Sequence, residues 1–159
     1  MEKQWRDQLK RGRPIDDIID EVTARLRGAN SEERPLFVRM LVSFLLRAER
    51  DIEAVQIVDE MIEQLPDDVR FPIHKATLYL YFLEDPEKAL PCIDVALRRA
   101  YRTGLFRREA LGVKARILVE LRRGEQLSEV LEEIMSMEMM KGVADVGRER
   151  TLSIALRQD

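Results

Sequence analysis

Few side chains in this sequence could perform chemistry of their own. His74 is the only histidine and Cys92 is the only cysteine, which excludes a zinc site built from several His or Cys ligands. Adjacent acids such as Asp16 and Asp17 are common on exposed helix faces, and residues 142–148 lack the Gly-Lys-Ser/Thr ending of a phosphate-binding loop. A metal site made of carboxylates alone stays open as an alternative. We expect no catalysis, no cofactor and no bound metal, with His74 as a half-buried or surface-lining residue and Cys92 as an inert thiol.

The charged residues are sorted along the chain by sign. Residues 49–68 hold eight acids and one base, residues 125–138 hold five acids and no base, and residues 98–123 hold nine bases and two acids. Two interpretations are open. Either the acidic and basic segments neutralise each other as neighbouring solvated helices, or the basic residues form a surface that attracts a negatively charged partner.

The overall composition fits one globular domain. The chain has 159 residues and a net charge of −3, with 45% apolar and 36% charged residues, and a chain of this length buries roughly 70% of its unfolded surface. A single cysteine allows no intramolecular disulfide, so a reducing compartment is the default. No apolar run nears the ~20 residues that span a bilayer, and the first fourteen residues lack the apolar centre of a secretory signal. We expect a cytoplasmic protein with no membrane contact.

Helical periodicity runs through the sequence, and no stretch alternates as a strand does. In residues 15–27 apolar side chains recur at helical spacing while acids occupy the other face. Pro and Gly separate about seven helices by short connections, which favours antiparallel neighbours. The expected fold class is therefore all-α, with residues 1–14 as a flexible N-terminal segment and residues 15–159 as a single domain. Trp5 and Leu9 would either pack against their own chain or bind another protomer.

One apolar pattern occurs three times along the chain. A triplet at i, i+4 and i+7 follows a charged turn, which itself follows another apolar helix. The triplets are Ala54, Val58 and Met61, then Ala89, Ile93 and Ala96, then Val130, Ile134 and Met137. Their offsets of 35 and 41 residues indicate a helix hairpin repeated three times.

These hairpins resemble the tetratricopeptide repeat (TPR), a family built from 34-residue helix hairpins. The resemblance rests on the small residues Ala54 and Ala89, which open the second helices, and on the bulky Val58 and Ile93 four positions later. The segment LEDPEKAL, residues 83–90, is similar to the family's turn between its two helices.

The resemblance implies a short right-handed solenoid of stacked antiparallel hairpins, over about residues 35–66, 70–103 and 106–140. The helix that begins at Ile15 and a C-terminal helix over about residues 144–157 would cap the two ends of the stack.

In TPR proteins the first helices of successive hairpins line a concave groove that receives a peptide or helix. Transferred position by position, this geometry implies a basic, partly aromatic groove, and its candidate partner-binding residues are Arg39, Ser43, Arg47, Phe71, His74, Lys75, Leu78, Tyr81, Phe82, Arg116, Arg122 and Arg123. The expected function is a non-catalytic adaptor or scaffold that binds an acidic peptide or helix of a partner protein, with arginines contacting its carboxylates.

Two other kinds of partner stay open. Residues 98–123 could bind nucleic acid through phosphate contacts, although the acidic total charge weighs against a dedicated nucleic-acid binder. The terminal helices could instead pair two copies of the chain as a homodimer. The methionines between residues 135 and 140 could fill a core or form a flexible binding patch.

Overall fold

A computed structural model describes the backbone of residues 2–155 and the side chains of residues 3–141. Every regular element among these residues is an α-helix, which confirms the expected all-α class. The helices are α1 (Glu2–Lys10), α2 (Ile15–Gly28), α3 (Arg34–Arg47), α4 (Asp51–Gln64), α5 (Arg70–Tyr81), α6 (Pro86–Thr103), α7 (Arg107–Glu120) and α8 (Gly124–Ala155).

The turns within the helix pairs α1–α2, α3–α4 and α7–α8 share one backbone geometry. A residue with a left-handed backbone follows the first helix: Gly12 (φ 88°), Glu49 (φ 58°) or Arg122 (φ 54°). The next N–H then donates to the carbonyl five residues back, at 2.9–3.1 Å, which is the closure of a Schellman-type helix end. The α5–α6 turn differs, because the N–H of Leu83 donates to the carbonyl of Leu78 at 3.1 Å but the left-handed residue, Glu84, comes after that bond. One turn geometry therefore joins the two helices in three of the four pairs.

Each helix packs against the next one along the chain, and α5 also contacts α3 and α7. The buried side chains form two clusters, one from α1 to α5 and the other mainly from α5 to α8. Phe71 and Leu78 of α5 belong to the first cluster, while Ala76 and Leu80 belong to the second. Helix α5 is therefore the wall shared by two hydrophobic cores.

The repeated apolar triplets lie in these cores. All six residues of the first two triplets are at most 6% exposed. In the third triplet, Val130 is buried, whereas Ile134 and Met137 are half-buried against the second cluster. The i, i+4, i+7 spacing marked the inward faces of α4, α6 and α8 because these positions share one side of a helix.

The N-terminal segment differs from the expectation of a flexible tail. Residues 2–10 form α1, and Trp5 is only 1% exposed. Its ring lies 6.5 Å from the ring of Phe37 in α3, and the guanidinium of Arg25 lies 5.2 Å from its centroid. Periodicity is a weak signal in nine residues that hold two large apolar side chains. The contact with α3 supplies the burial that the local pattern does not indicate.

The C-terminal region differs as well. A separate helix over about residues 144–157 was expected, whereas α8 continues without a break from Gly124 to Ala155. Gly142 lies inside it, and a glycine weakens a helix by only about 1 kcal/mol relative to alanine. The capping contacts expected of this region lie outside the residues whose side chains are described.

The C-terminal end of α4 is closed by a side chain from α6. The guanidinium of Arg99 donates to the carbonyl oxygens of Ile62, Leu65 and Asp68 at 3.2, 3.3 and 2.9 Å. Carbonyls at a helix end have no partner within the helix. Arg99 therefore holds the α4–α5 connection against α6.

Candidate functional site

The surface between α3 and α5 holds two adjoining cavities of about 510 and 390 Å³. Arg39, His74 and Thr77 line both, and we call the combined surface the α3–α5 groove. Among the residues whose side chains are described, the walls of the smaller cavity contain no carboxylate; they are formed by Arg6, Arg39, Val42, Ser43, Leu46, His74, Thr77, Leu78 and Phe82. The larger cavity has one carboxylate in its walls, that of Glu32.

The charge of the groove comes from arginine and not from histidine. Burial of the imidazole, followed by the positive charge of Arg39, lowers the pKa of His74 from its ordinary 6.5 to about 4. His74 is therefore neutral at pH 7, when it can offer one donor and one acceptor nitrogen. The hydroxyl of Thr77 donates to the carbonyl of Ile73 at 2.9 Å, so its proton is already used within α5.

Five of the predicted binding residues line the smaller cavity: Arg39, Ser43, His74, Leu78 and Phe82. Phe82 is 63% exposed at the end of α5 and provides an apolar edge. Phe71 and Leu78, also predicted for the groove, are each 1% exposed and belong to the first core cluster. They form the floor beneath the groove, where a partner would reach them little.

Lys75 does not lie in the α3–α5 groove. Its ammonium binds the carboxylate of Asp59 in α4 at 2.5 Å, and it lines a different cavity, of about 350 Å³, between α4, α5 and α6. Consecutive helical residues point about 100° apart, so Lys75 and His74 cannot share a face.

Cys92 lies in the cavity between α4, α5 and α6 that Lys75 also lines. Its thiol donates to the carbonyl of Lys88 at 3.2 Å, and burial raises its pKa. This arrangement fits an unreactive thiol.

The remaining predicted residues are distributed over the α5–α7 side and the turns. Arg116 of α7 lies beside the hydroxyl of Tyr81, a contact that raises the pKa of the guanidinium. Arg47 and Arg122 are exposed, at the end of α3 and in the α7–α8 turn respectively. Arg123, in the same turn, binds Glu87 of α6 at 2.9 Å.

One groove residue escaped the sequence analysis. Arg6 of α1 lines the smaller cavity beside Arg39, but residues 1–14 had been placed outside the folded domain. The turn at Gly12 was an available signal, because glycine is favoured where a helix ends in the left-handed region. The four-residue spacing of Trp5 and Leu9 was a second.

The basic segment 98–123 is largely neutralised by acids of the same chain. Five of its nine bases bind carboxylates: Arg102 with Asp67, Arg107 with Glu133, Arg108 with Glu138, Lys114 with Asp94, and Arg123 with Glu87. A sixth, Arg99, caps α4. These pairs favour the interpretation that acidic and basic helices balance each other as neighbours.

Among the described residues, no cluster of three or more His, Cys, Asp or Glu side chains is arranged to hold a metal ion. No helix in the described part of the chain has the length and apolar character needed to cross a membrane. Comparison with known protein families, with curated proteins and with solved structures finds no match to this chain.

Proposed function

We propose that this chain is a non-catalytic interaction module, a TPR-like stack of helix hairpins that binds an acidic segment of a partner protein in the α3–α5 groove. The observation that carries the proposal is the smaller cavity. Its apolar walls are flanked by Arg6 and Arg39, and no carboxylate from the described side chains lines it, in a chain whose net charge is −3.

The helix connections support a stacked arrangement. Three of the four helix pairs close with the same turn, and the first helices of neighbouring pairs, α3 with α5 and α5 with α7, contact each other directly. In a stack of hairpins, the first helices line one continuous surface. The α3–α5 groove lies on that side of the proposed stack.

The composition of the groove indicates the kind of segment it would accept. Val42, Leu46 and Phe82 favour a bulky apolar side chain, because its burial contributes about 1.5–3 kcal/mol. The guanidinium of Arg39 favours a neighbouring Asp or Glu, since arginine can donate two parallel hydrogen bonds to one carboxylate. An amphipathic helix or extended peptide with one apolar anchor beside an acid meets both requirements.

Selection from a random peptide-display library on the immobilised full chain would test this proposal. We expect enriched peptides to combine Asp or Glu with Leu, Phe or Met. The best peptide should bind Arg39→Glu at least about tenfold more weakly, because a charge-assisted hydrogen bond contributes roughly 1.5–3 kcal/mol.

Arg98→Glu is the matched control, since Arg98 is an exposed arginine that lines a cavity of α6, α7 and α8 instead. Its affinity for the peptide should equal that of the wild type. Selection of peptides without acids, or equal binding by Arg39→Glu and the wild type, would show that the groove is not the binding site.

A further inference from the structure

The outer face of α8 is an apolar surface that no other described helix covers. Leu131, Met135 and Met139 recur every four residues and are 45%, 64% and 72% exposed. They form a row along one side of the helix. Val130 and Ile134 pack into the second core cluster on the other side, where α8 meets α7. A helix that is apolar on two sides normally has neighbours on both.

The length of α8 leaves room for such a neighbour. At 1.5 Å per residue, its 32 residues extend about 48 Å, whereas the 14 residues of α7 extend about 21 Å. Among the described residues, α8 packs against α7 and reaches α6 where Glu133 accepts a hydrogen bond from the hydroxyl of Tyr101 at 2.7 Å. Since α8 continues as one helix beyond Gly142, its backbone does not turn back to cover the Leu131–Met139 row.

The charge along α8 indicates what covers the row. Residues 125–138 carry five acids and no base, while residues 141–154 carry three bases and two acids. Glu133 and Glu138 already bind Arg107 and Arg108 of α7, so three of the five acids count here: Glu125, Glu129 and Glu132. A second α8 in parallel would place −3 beside −3, whereas an antiparallel one places −3 beside +1, about a point between the two segments, close to Met139.

We propose that two copies of this chain associate through α8, antiparallel about a two-fold axis near Met139, with Leu131, Met135 and Met139 in the seam. The same patch is used on both copies, as in the isologous interfaces of two-fold dimers. Methionine suits such a seam, because its unbranched side chain adapts to the facing helix. The α3–α5 groove takes no part in this contact, so the two proposals can fail separately.

Light scattering coupled to size exclusion, over a series of protein concentrations, tests the association. We expect the full chain to have twice its 18.6 kDa mass, and we expect Met135→Gln/Met139→Gln to raise the dimer dissociation constant by about tenfold or more. The matched control is Ile52→Gln/Leu105→Gln, which removes two equally exposed apolar side chains elsewhere and should leave the dimer intact. A monomeric wild type, or equal effects of the two double variants, would overturn the proposal.

Disulfide cross-linking tests the direction of the helices. In a Cys92→Ser background, where serine can keep the hydrogen bond to the carbonyl of Lys88, mild oxidation should cross-link Met139→Cys with itself. Leu131→Cys should remain uncross-linked, because antiparallel helices separate these two positions. Cross-linking at both positions would indicate a parallel pair, and cross-linking at neither would indicate another interface; each result would contradict the antiparallel dimer.

Discussion

At the scale of single residues, the direction of a side chain around its helix decides which surface it serves. His74 and Lys75 are neighbours in sequence, yet His74 lines the α3–α5 groove while Lys75 binds Asp59 of α4 from another side of α5. A surface assembled from residue types alone therefore mixes two faces of the same helix. The contacts of each side chain separate them.

The pH dependence of stability should report on His74. Its pKa is about 4 in the folded chain against an ordinary 6.5, so the unfolded chain binds more protons between these pH values. The folded state therefore loses stability as the pH falls from 6.5 towards 4. Replacement by glutamine should make the stability less dependent on pH in this window, since the acids that titrate there are common to both proteins. We would measure urea unfolding at several pH values; parallel curves for wild type and His74→Gln would contradict the low pKa.

Two arginines of α6 should differ sharply in their contribution to stability. Arg99 is half-buried and donates to three carbonyls, so Arg99→Ala should lower the free energy of unfolding by about 1.5–3 kcal/mol. Arg102 is exposed and binds Asp67 at the surface, so Arg102→Ala should cost about 0–1 kcal/mol. Chemical denaturation of both variants provides the comparison. Equal losses would mean that the carbonyl contacts of Arg99 do not hold the α4–α5 connection.

At the scale of elements, α1 depends on a contact that is distant in sequence. A nine-residue helix is marginal in water when isolated, so α1 is stabilised by the burial of Trp5 against α3 and the guanidinium of Arg25. Its docking also brings Arg6 to the groove. The first helix pair therefore contributes to both the core and the candidate site.

Trp5 is the sole tryptophan, so its fluorescence reports the docking of α1 directly. We expect iodide to quench it weakly in the folded chain, because its ring is 1% exposed. Trp5→Ala should lower the free energy of unfolding by about 3–5 kcal/mol, and Trp5→Phe by less. Circular dichroism in urea would measure both. Strong quenching in the native protein, together with an unchanged stability of Trp5→Ala, would instead support the prediction that residues 1–14 are a flexible segment.

At the scale of the whole molecule, the two clusters of buried side chains that the structure describes adjoin at α5 and its immediate neighbours. Leu41 lies in the first cluster and Leu118 in the second, and each is at most 1% exposed. Elements that share few buried contacts can open separately. A substitution in one cluster should therefore make the helices around that cluster open more readily than the helices around the other cluster.

Hydrogen exchange on a matched pair of variants tests this partition. Leu41→Ala and Leu118→Ala should each cost about 2–5 kcal/mol. Exchange in α2 and α3 should accelerate more in Leu41→Ala, and exchange in α6 and α7 more in Leu118→Ala. Equal acceleration of all helices in both variants would indicate one cooperative unit.

The amino-acid pattern by itself determined the all-α class, most helix positions and the inward faces of α4 and α6, because apolar spacing follows directly from helix geometry. The resemblance to TPR proteins predicted a set of groove residues, of which Arg39, Ser43, His74, Leu78 and Phe82 line one cavity in the structure. The sequence also showed that acids and bases are segregated along the chain. Whether the bases pair with acids of neighbouring helices or face a partner depended on which helices pack together.

Only the tertiary structure decided the roles that depend on contacts between distant residues. Burial of Trp5 attaches α1 to the core. Lys75 lies on a different face of α5 from His74 and binds Asp59, and acids of other helices bind many of the bases in residues 98–123. The structure also joins residues 124–155 into one helix. A local pattern records the preference of each segment, whereas burial and ion pairing arise between segments and are set when the helices pack.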